Sequence, residues 1–403
     1  MAIGKGAYLR SITSAHAIPS VNVGTRLDGS SPPSVFIGSW NYPKVYAGPM
    51  IAPLHGDTRI LDMPESWIPE QRSQEEIISY RMSLVRGKLR QDVREIDTRF
   101  VEQLQEIALS AGSIESEALF NEVPTGFSLS EEQTPFGPSA GLEQLEIEPP
   151  KWDPQLEKIY HDTDLSAAEA IVSLHAQGVP FTSIQKALSA GAMGRGRSRK
   201  LVPTRWSITA CDTTIGDHLM RDVRRHQLID TVRVHKFSSL NNHYAVILLP
   251  TPWQYEWMEA FLHIAGTEEL IFSDFEWNRG KRGYSRVGGC FYSCKMAVLE
   301  ALSREQRQAG AIILREARRG YVPMGVFNVR ENVRNALMQP PEHFEDLPAA
   351  LSAVSQEFQL PVSRFAEEST VLAASLRQKQ LHLSDFLTEG VHRTIPACSQ
   401  YGR

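Results

Sequence analysis

Apolar residues along this chain fall into short runs, helical stripes and punctuated turns. The runs "SVFIGSW" and "KVYAGPM", broken by Gly and Pro, predict strands and turns across residues 31–67. In "SQEEIISYRMSLVRGKL", Ile77, Ile78, Met82, Leu84 and Val85 carry the apolar spacing, with acids early and bases late. That predicts a helix aligned with its own dipole, and "RFVEQLQEIALSA" predicts a second. From about 112 to 151 the chain turns acidic and rich in Ser, Pro and Gly, which predicts a long surface loop. Helical signals come next. Pro154 stands near a first turn, "DLSAAEAIVSLHAQG" runs from an Asp cap to a stop at Gly178, and "TSIQKALSAG" continues the series.

The pattern then alternates. It predicts strand "WSITAC", helix "TIGDHLMRDVRRHQ", strands "TVRVHKF" and "HYAVILLP", helix "WQYEWMEAFLHIA" and strand "ELIFSDF". Helix "GCFYSCKMAVLEALSREQRQ" comes after them, and "AGAIILREAR" fits either state. Helices around 344–357 and 362–379 close the series. Mixed order without a regular βαβ repeat predicts an α+β fold with mixed sheets and packed helices, not a doubly wound sheet.

Composition narrows the function classes. At 403 residues, 42% hydrophobic and 22% charged, the chain is an ordinary globular protein. A net charge of −5 supplies no global attraction to nucleic acid or anionic lipid, so any such contact must come from a local patch. No apolar run reaches the length of a membrane span, and "MAIGKGAYLRSITSAHAIPS" lacks a secretory core, so a cytoplasmic location is expected. Of the four cysteines only Cys290 and Cys294 are close; two thiols without a C-x2-C or H-x3-H partner read as buried hydrophobes.

One basic island stands out, "GAMGRGRSRKLVPTRW", with Arg195, Arg197, Arg199, Lys200 and Arg205 and no acid from 191 to 206. Glycines let a backbone approach phosphate, arginines bind its oxygens in pairs, and Trp206 offers a stacking face. A solvated loop paired with acids elsewhere is the competing reading. Asp274 and Glu276 in "SDFEW" lie two apart, on one face of a continuing strand, and are candidate ligands for a catalytic divalent metal. Asp57, Asp212 and His55 read more simply as turn or cap residues. No Walker loop, G-x-S-x-G elbow or H-E-x-x-H is present.

Near the end, "QLHLSDFL" has the spacing Q-x-x-L-x-x-F-L of a PIP motif, the peptide that binds the sliding clamp PCNA. One 3₁₀ turn would gather Leu383, Phe386 and Leu387 into an apolar plug, with the Gln380 amide bonding in a separate pocket. A core helix is the alternative, because Leu372, Leu376 and Leu383 keep helical spacing; position near a free end favours the linear motif.

Taken together, "SPPSVFIGSWNYPKVYAGPM" (31–50), "GDTRILDMPESW" (56–67), "SYRMSLVRG" (79–87), "RKLVPTRWSITACD" (199–212), "GGCFYSCKMAVLEAL" (288–302) and "GVFNVRE" (325–331) resemble the archaeal Nre DNA-repair proteins. The resemblance implies an intracellular repair factor that binds PCNA through Gln380, Leu383, Phe386 and Leu387, with DNA as a further partner. It implies an N-terminal region over 1–285, a mainly helical C-terminal region over 286–375 and a tail over 376–403. Some members begin with a four-cysteine zinc finger, which this chain lacks, as no cysteine precedes Cys211. The resemblance supplies no catalytic mechanism, so a metal-dependent nuclease and a non-catalytic adaptor both stay open.

Overall fold

The computed structural model describes residues 21–377 except 131 and 265, together with Lys5 and Tyr8; Gln380, Leu383, Phe386 and Leu387 lie outside the described residues. In the first third, alternating in-and-out residues build a six-stranded sheet. Its strands are β1 (Arg26–Ser31), β2 (Val35–Ile37), β3 (Lys44–Ile51), β4 (Val85–Asp92), β5 (Ile114–Phe120) and β6 (Ser139–Ile147), in the order β1-β5-β6-β4-β3-β2. Only β4 and β6 run parallel within it. Helices α1 (Pro64–Trp67) and α2 (Gln74–Met82) interrupt it, and α2 opens on a capping box of Ser73 and Glu76. Helix α3 (Arg99–Leu109) packs Val101, Leu104 and Ile107 against Val45 and Ala47 of β3.

The expected loop over 112–151 is therefore corrected: it holds two of these strands. In β5 Glu115, Glu117 and Leu119 point outward while Ile114, Ser116, Ala118 and Phe120 are buried. That is a period of two whose outward half happens to be largely acidic.

A helical layer comes after the sheet: α4 (Pro154–His161), α5 (Ala167–Ala176), α6 (Phe181–Ser189) and α7 (Thr204–Val223). The segment "WSITAC", expected as a strand, lies inside α7. Ser207, Ile208, Cys211, Asp212 and Ile215 are its buried residues, at helical and not alternating intervals.

The second six-stranded sheet uses β8 (Val232–Ser239), β9 (Asn242–Leu249), β10 (Tyr255–Leu262), β11 (Glu269–Glu276), β13 (Gly310–Ala317) and β14 (Glu342–Phe344), in the order β11-β10-β13-β9-β8-β14. The short pair β7 (Gln227–Leu228) and β12 (Arg307–Gln308) stands apart. Helices α8 (Gly289–Glu305) and α9 (Phe327–Met338) cover one face with α7; α10 (Leu347–Ser355), α11 (Val362–Glu367) and α12 (Val371–Arg377) cover the other. The helix expected over "WQYEWMEAFLHIA" is corrected to strand β10. It is buried along its whole length, with Tyr255 and Trp257 entering the α7–α9 core and Met258, Ala260 and Leu262 the opposite one. A central strand covered on both faces has no polar side, so its sequence shows no alternation. The ambiguous "AGAIILREAR" resolves as β13 for the same reason, paired parallel to β10 and antiparallel to β9. The α+β class with mixed sheets is borne out.

Helices α7 and α8 lie side by side and parallel: Thr209 sits beside Gly289, Ser293 bonds Asp212, Gly216 lies against Met296, and Ser303 bonds Asp222. Both N-termini thus share one end of the molecule. At the far end of the chain, the buried Glu256 carboxylate of β10 accepts the backbone N–H groups of Thr370, Val371 and Leu372. A strand residue so caps α12, the last described helix.

Candidate nucleic-acid interface

The basic island divides by role. Arg199 donates to the carbonyls of Gly194 (2.8 Å) and Asp162 (2.9 Å) and lies over the Tyr160 ring, with burial lowering its pKa. Positive φ at Gly191 and Gly194 turns the backbone into that position. Arg199 therefore holds the loop together. Arg205 pairs with Glu132 at 2.7 Å, and Arg195 reaches the Asp164 carbonyl at 3.3 Å. Arg197 and Lys200 are exposed, with no side-chain partner among the described residues.

Folding brings a second basic stretch to the same end. The segment "WNRGKRGYSRVGG" (277–289) carries Arg279, Lys281, Arg282 and Arg286, and no acid occurs between Trp277 and Leu299. Its glycines 280, 283 and 288 all have positive φ. Arg279, Arg282 and Arg286 are exposed. Sequence reasoning passed over this stretch although its signal, arginines spaced by glycines without acids, is the one that drew attention to the first.

The two stretches meet at a groove of about 590 Å³ lined by Arg205, Trp206 and Thr209 from α7, Tyr284 from the loop leading into α8, Gly289 at the start of α8, and Glu132, the partner of Arg205. Aromatic faces stand open around it. Tyr284 is 63% exposed, and Tyr42 packs its ring 5.0 Å from the half-open Trp206. The N-termini of α7 and α8, neither capped by a side chain, add partial positive charge here. Stacking faces among exposed guanidinium groups suit single-stranded or distorted nucleic acid.

Asp274 and Glu276 take a different role from the expected metal pair. Asp274 accepts from Lys281 Nζ (2.7 Å), Ser285 Oγ (2.7 Å) and the Arg286 backbone N–H (3.0 Å). Burial raises its pKa, but these bonds outweigh it and hold the carboxyl below its ordinary value. It ties the basic loop back on itself. Glu276 accepts from Trp253 Nε1 (2.8 Å) and Lys295 Nζ (3.0 Å) inside the core. Among the described residues no group of three or more His, Cys, Asp or Glu is placed to hold a metal ion. Asp57 pairs with Arg59 and His55 with Glu115, both at the surface, while Cys211, Cys290 and Cys294 are buried.

Beneath the groove, charge pairs tie the helices together. Arg330 of α9 grips Asp212 of α7 with two bonds of 2.9 and 2.8 Å. Arg334 bonds Glu300 (2.8 Å) and Glu331 (2.9 Å). Burial raises the Glu331 pKa to about 7 against the pull of Arg334. A carboxyl raised on folding holds its proton more tightly in the native state. Its contribution to stability is thus intact below pH 4.5 and lost as pH rises toward 7. Glu331→Gln is expected to flatten that fall and to stabilise the protein at pH 8 by about 1–3 kcal/mol. Urea midpoints at pH 5 and pH 8 check this; an equal response of both chains to pH would refute it.

Comparison with known proteins places this architecture. The N-terminal family model of archaeal Nre matches residues 7–265, and the C-terminal one matches 276–386. The chain belongs to the archaeal Nre family. It is 38% identical over 391 residues to the DNA repair protein NreB of Archaeoglobus fulgidus, covering 92% of this chain and 94% of that one. It is 35% identical to NreA of the same organism (84% and 87% covered) and 29% identical to NreA of Haloferax volcanii (87% of each). No solved structure matches. In this Nre chain the first family model ends after β10 and the second begins at the end of β11, so the second sheet draws β8–β10 from one and β13 and β14 from the other. No helix among the described residues is long and apolar enough to cross a membrane.

Proposed function

We propose that this Nre protein is a DNA-repair factor that holds DNA across the groove between the 195–205 island and the 277–289 loop and is recruited by PCNA through its C-terminal PIP motif. A repair role is what family membership and the names of its three relatives support. The convergence of two acid-free, glycine-spaced basic loops around open aromatic rings carries the DNA reading. Clamp recruitment rests on the spacing of Gln380, Leu383, Phe386 and Leu387. The two parts fit each other energetically. A protein of net charge −5 binds DNA weakly from bulk solution, and tethering to a clamp already on DNA raises the local concentration to the millimolar range for a short flexible link.

The combined variant Arg197→Ala, Arg279→Ala, Arg282→Ala is expected to weaken binding to single-stranded DNA about 10- to 100-fold and to lower the slope of log K against log salt by about two to three. Fluorescence anisotropy over a salt series reads both. An unchanged slope would remove the groove from the proposal. Arg199→Ala is the contrasting case: because its guanidinium holds loop carbonyls, its main effect is expected on thermal stability.

A further inference from the structure

On the opposite side of α7's first turn from the groove lies a recess enclosing a cavity of about 40 Å³. It is built where the first sheet, the helical layer and α9 meet. Four charged side chains line it, and all are buried: the cations Arg81, Lys186 and Arg330, and the single anion Asp62. Arg330 is matched from behind by Asp212, which is not part of the wall. Arg81 and Lys186 share Asp62 between them, Lys186 Nζ at 2.6 Å, and Ser34 Oγ donates to the same carboxylate. Two cations on one carboxylate leave a positive excess in a place where an unmatched charge costs several kcal/mol. A further acid, Glu65, bonds the backbone N–H of Thr182 at 2.6 Å and pulls on Lys186, whose pKa burial lowers all the same.

The backbone adds charge of the same sign. Helices α6, α7 and α9 all begin at this cavity, through Phe181, Thr204 and Phe327; the first turn of α6 gives its Thr182 N–H to Glu65, while α7 and α9 have no side-chain N-cap. Two open N-termini beside three buried cations form an environment that favours an anion and disfavours a cation.

We propose that this cavity is a phosphate site, taking one tetrahedral phosphate group between Lys186 and Arg330. On this measure a water needs roughly 10–15 Å³, so the cavity holds the equivalent of about three waters, enough for a phosphate head but not for a nucleotide. Phe36, Phe181 and Phe327 complete the wall around these charges. Glu132 lines the groove while its neighbours Gln133 and Thr134 line the recess, so the two sites are separated by a single stretch of chain. Gly325 allows that thin wall: its φ is +96°, and a Cβ there would lie 2.5 Å from the Gln133 carbonyl carbon. The phosphate is either free inorganic phosphate or the terminal phosphate of a nucleic-acid strand. The site itself does not rest on the DNA reading of the groove.

Titration calorimetry of the full chain with sodium phosphate, against sodium chloride of equal ionic strength, is the test. Saturable binding is expected, weakened at least about tenfold by Lys186→Gln, which removes the surplus cation and leaves Arg81 and Asp62 balanced. The groove variant Arg279→Ala, Arg282→Ala is expected to bind phosphate like the parent, which separates this site from the DNA proposal. No saturable phosphate binding, or equal binding by Lys186→Gln, overturns the site. Should Lys186→Gln not fold, tungstate soaked into crystals of the parent chain decides: an anomalous peak between Lys186 and Arg330 upholds the site, and peaks elsewhere only overturn it. A 5′-phosphorylated oligonucleotide preferred over its 5′-hydroxyl form, with the preference lost in Lys186→Gln, assigns the strand terminus. Equal binding of the two oligonucleotides, with phosphate binding retained, assigns the free anion.

Discussion

Asp212→Ala is expected to lower the unfolding free energy by about 3–5 kcal/mol. The Arg330 guanidinium is buried, stacked 3.7 Å above the Phe181 ring, and bonded through two nitrogens to the Asp212 carboxylate. Ser293 Oγ donates to the same carboxylate at 2.7 Å, so α7, α8 and α9 all meet at this one group. Deleting the carboxylate leaves a desolvated cation without its bonded counter-charge, while Ser293 Oγ falls back on the Gly289 carbonyl. Asp212→Ala combined with Arg330→Met is expected to recover a large part of the loss, because the stranded charge goes too. Urea unfolding of the three chains reads this directly. A single variant costing less than about 1 kcal/mol would mean that the pair is wetter than its burial indicates.

Phe386→Ala is expected to weaken capture by PCNA about 30-fold or more. Three side chains of the plug each contribute at most about 1.5–3 kcal/mol before ordering costs, and the aromatic anchor carries the largest share. From a micromolar starting affinity the variant falls to a level that pull-down no longer retains. Among the described residues, α12 is held by the buried Val371 and Leu372 and by the Glu256 cap, and urea unfolding of Phe386→Ala at the parental midpoint is the expected control. That separates loss of a partner from loss of structure. Clamp capture of Phe386→Ala at parental strength, by calorimetry with the purified clamp, would end the tethering argument.

Local chemistry makes much of this protein legible from its residues alone. The Ser73–Glu76 capping box sits at the start of a helix read from its dipole and spacing, although that helix stops at Met82 and Val85, expected in it, opens strand β4. Segment 289–305 shows its helix through the spacing of large apolar residues. The island at 195–205 is visible because glycine-spaced arginines without acids stand out in an acidic chain. Failures come where the surroundings decide. Glu115 and Glu117 make β5 look like solvated loop, although a strand at a sheet surface must show polar residues on one side. Aromatic-rich β10 looks helical because both of its faces are covered. The expected metal pair, Asp274 and Glu276, shares one strand face but serves two unrelated partners, a basic loop and a core lysine. Spacing on a strand shows which side chains can meet, and their charge partners come from elsewhere in the chain.

The sequence by itself determined the α+β class, most helices and strands, the family and the first basic island, because each is written in neighbouring residues whose propensities and spacing act locally. Only the tertiary structure decided that Arg199 supports its loop instead of facing solvent, that residues 277–289 join residues 195–205 at one groove, and that Asp62 must serve both Arg81 and Lys186. The physical reason is range. Burial and electrostatic pairing depend on distance in space, and the residues that share the buried cavity, from Ser34 to Arg330, are nearly three hundred positions apart along the chain.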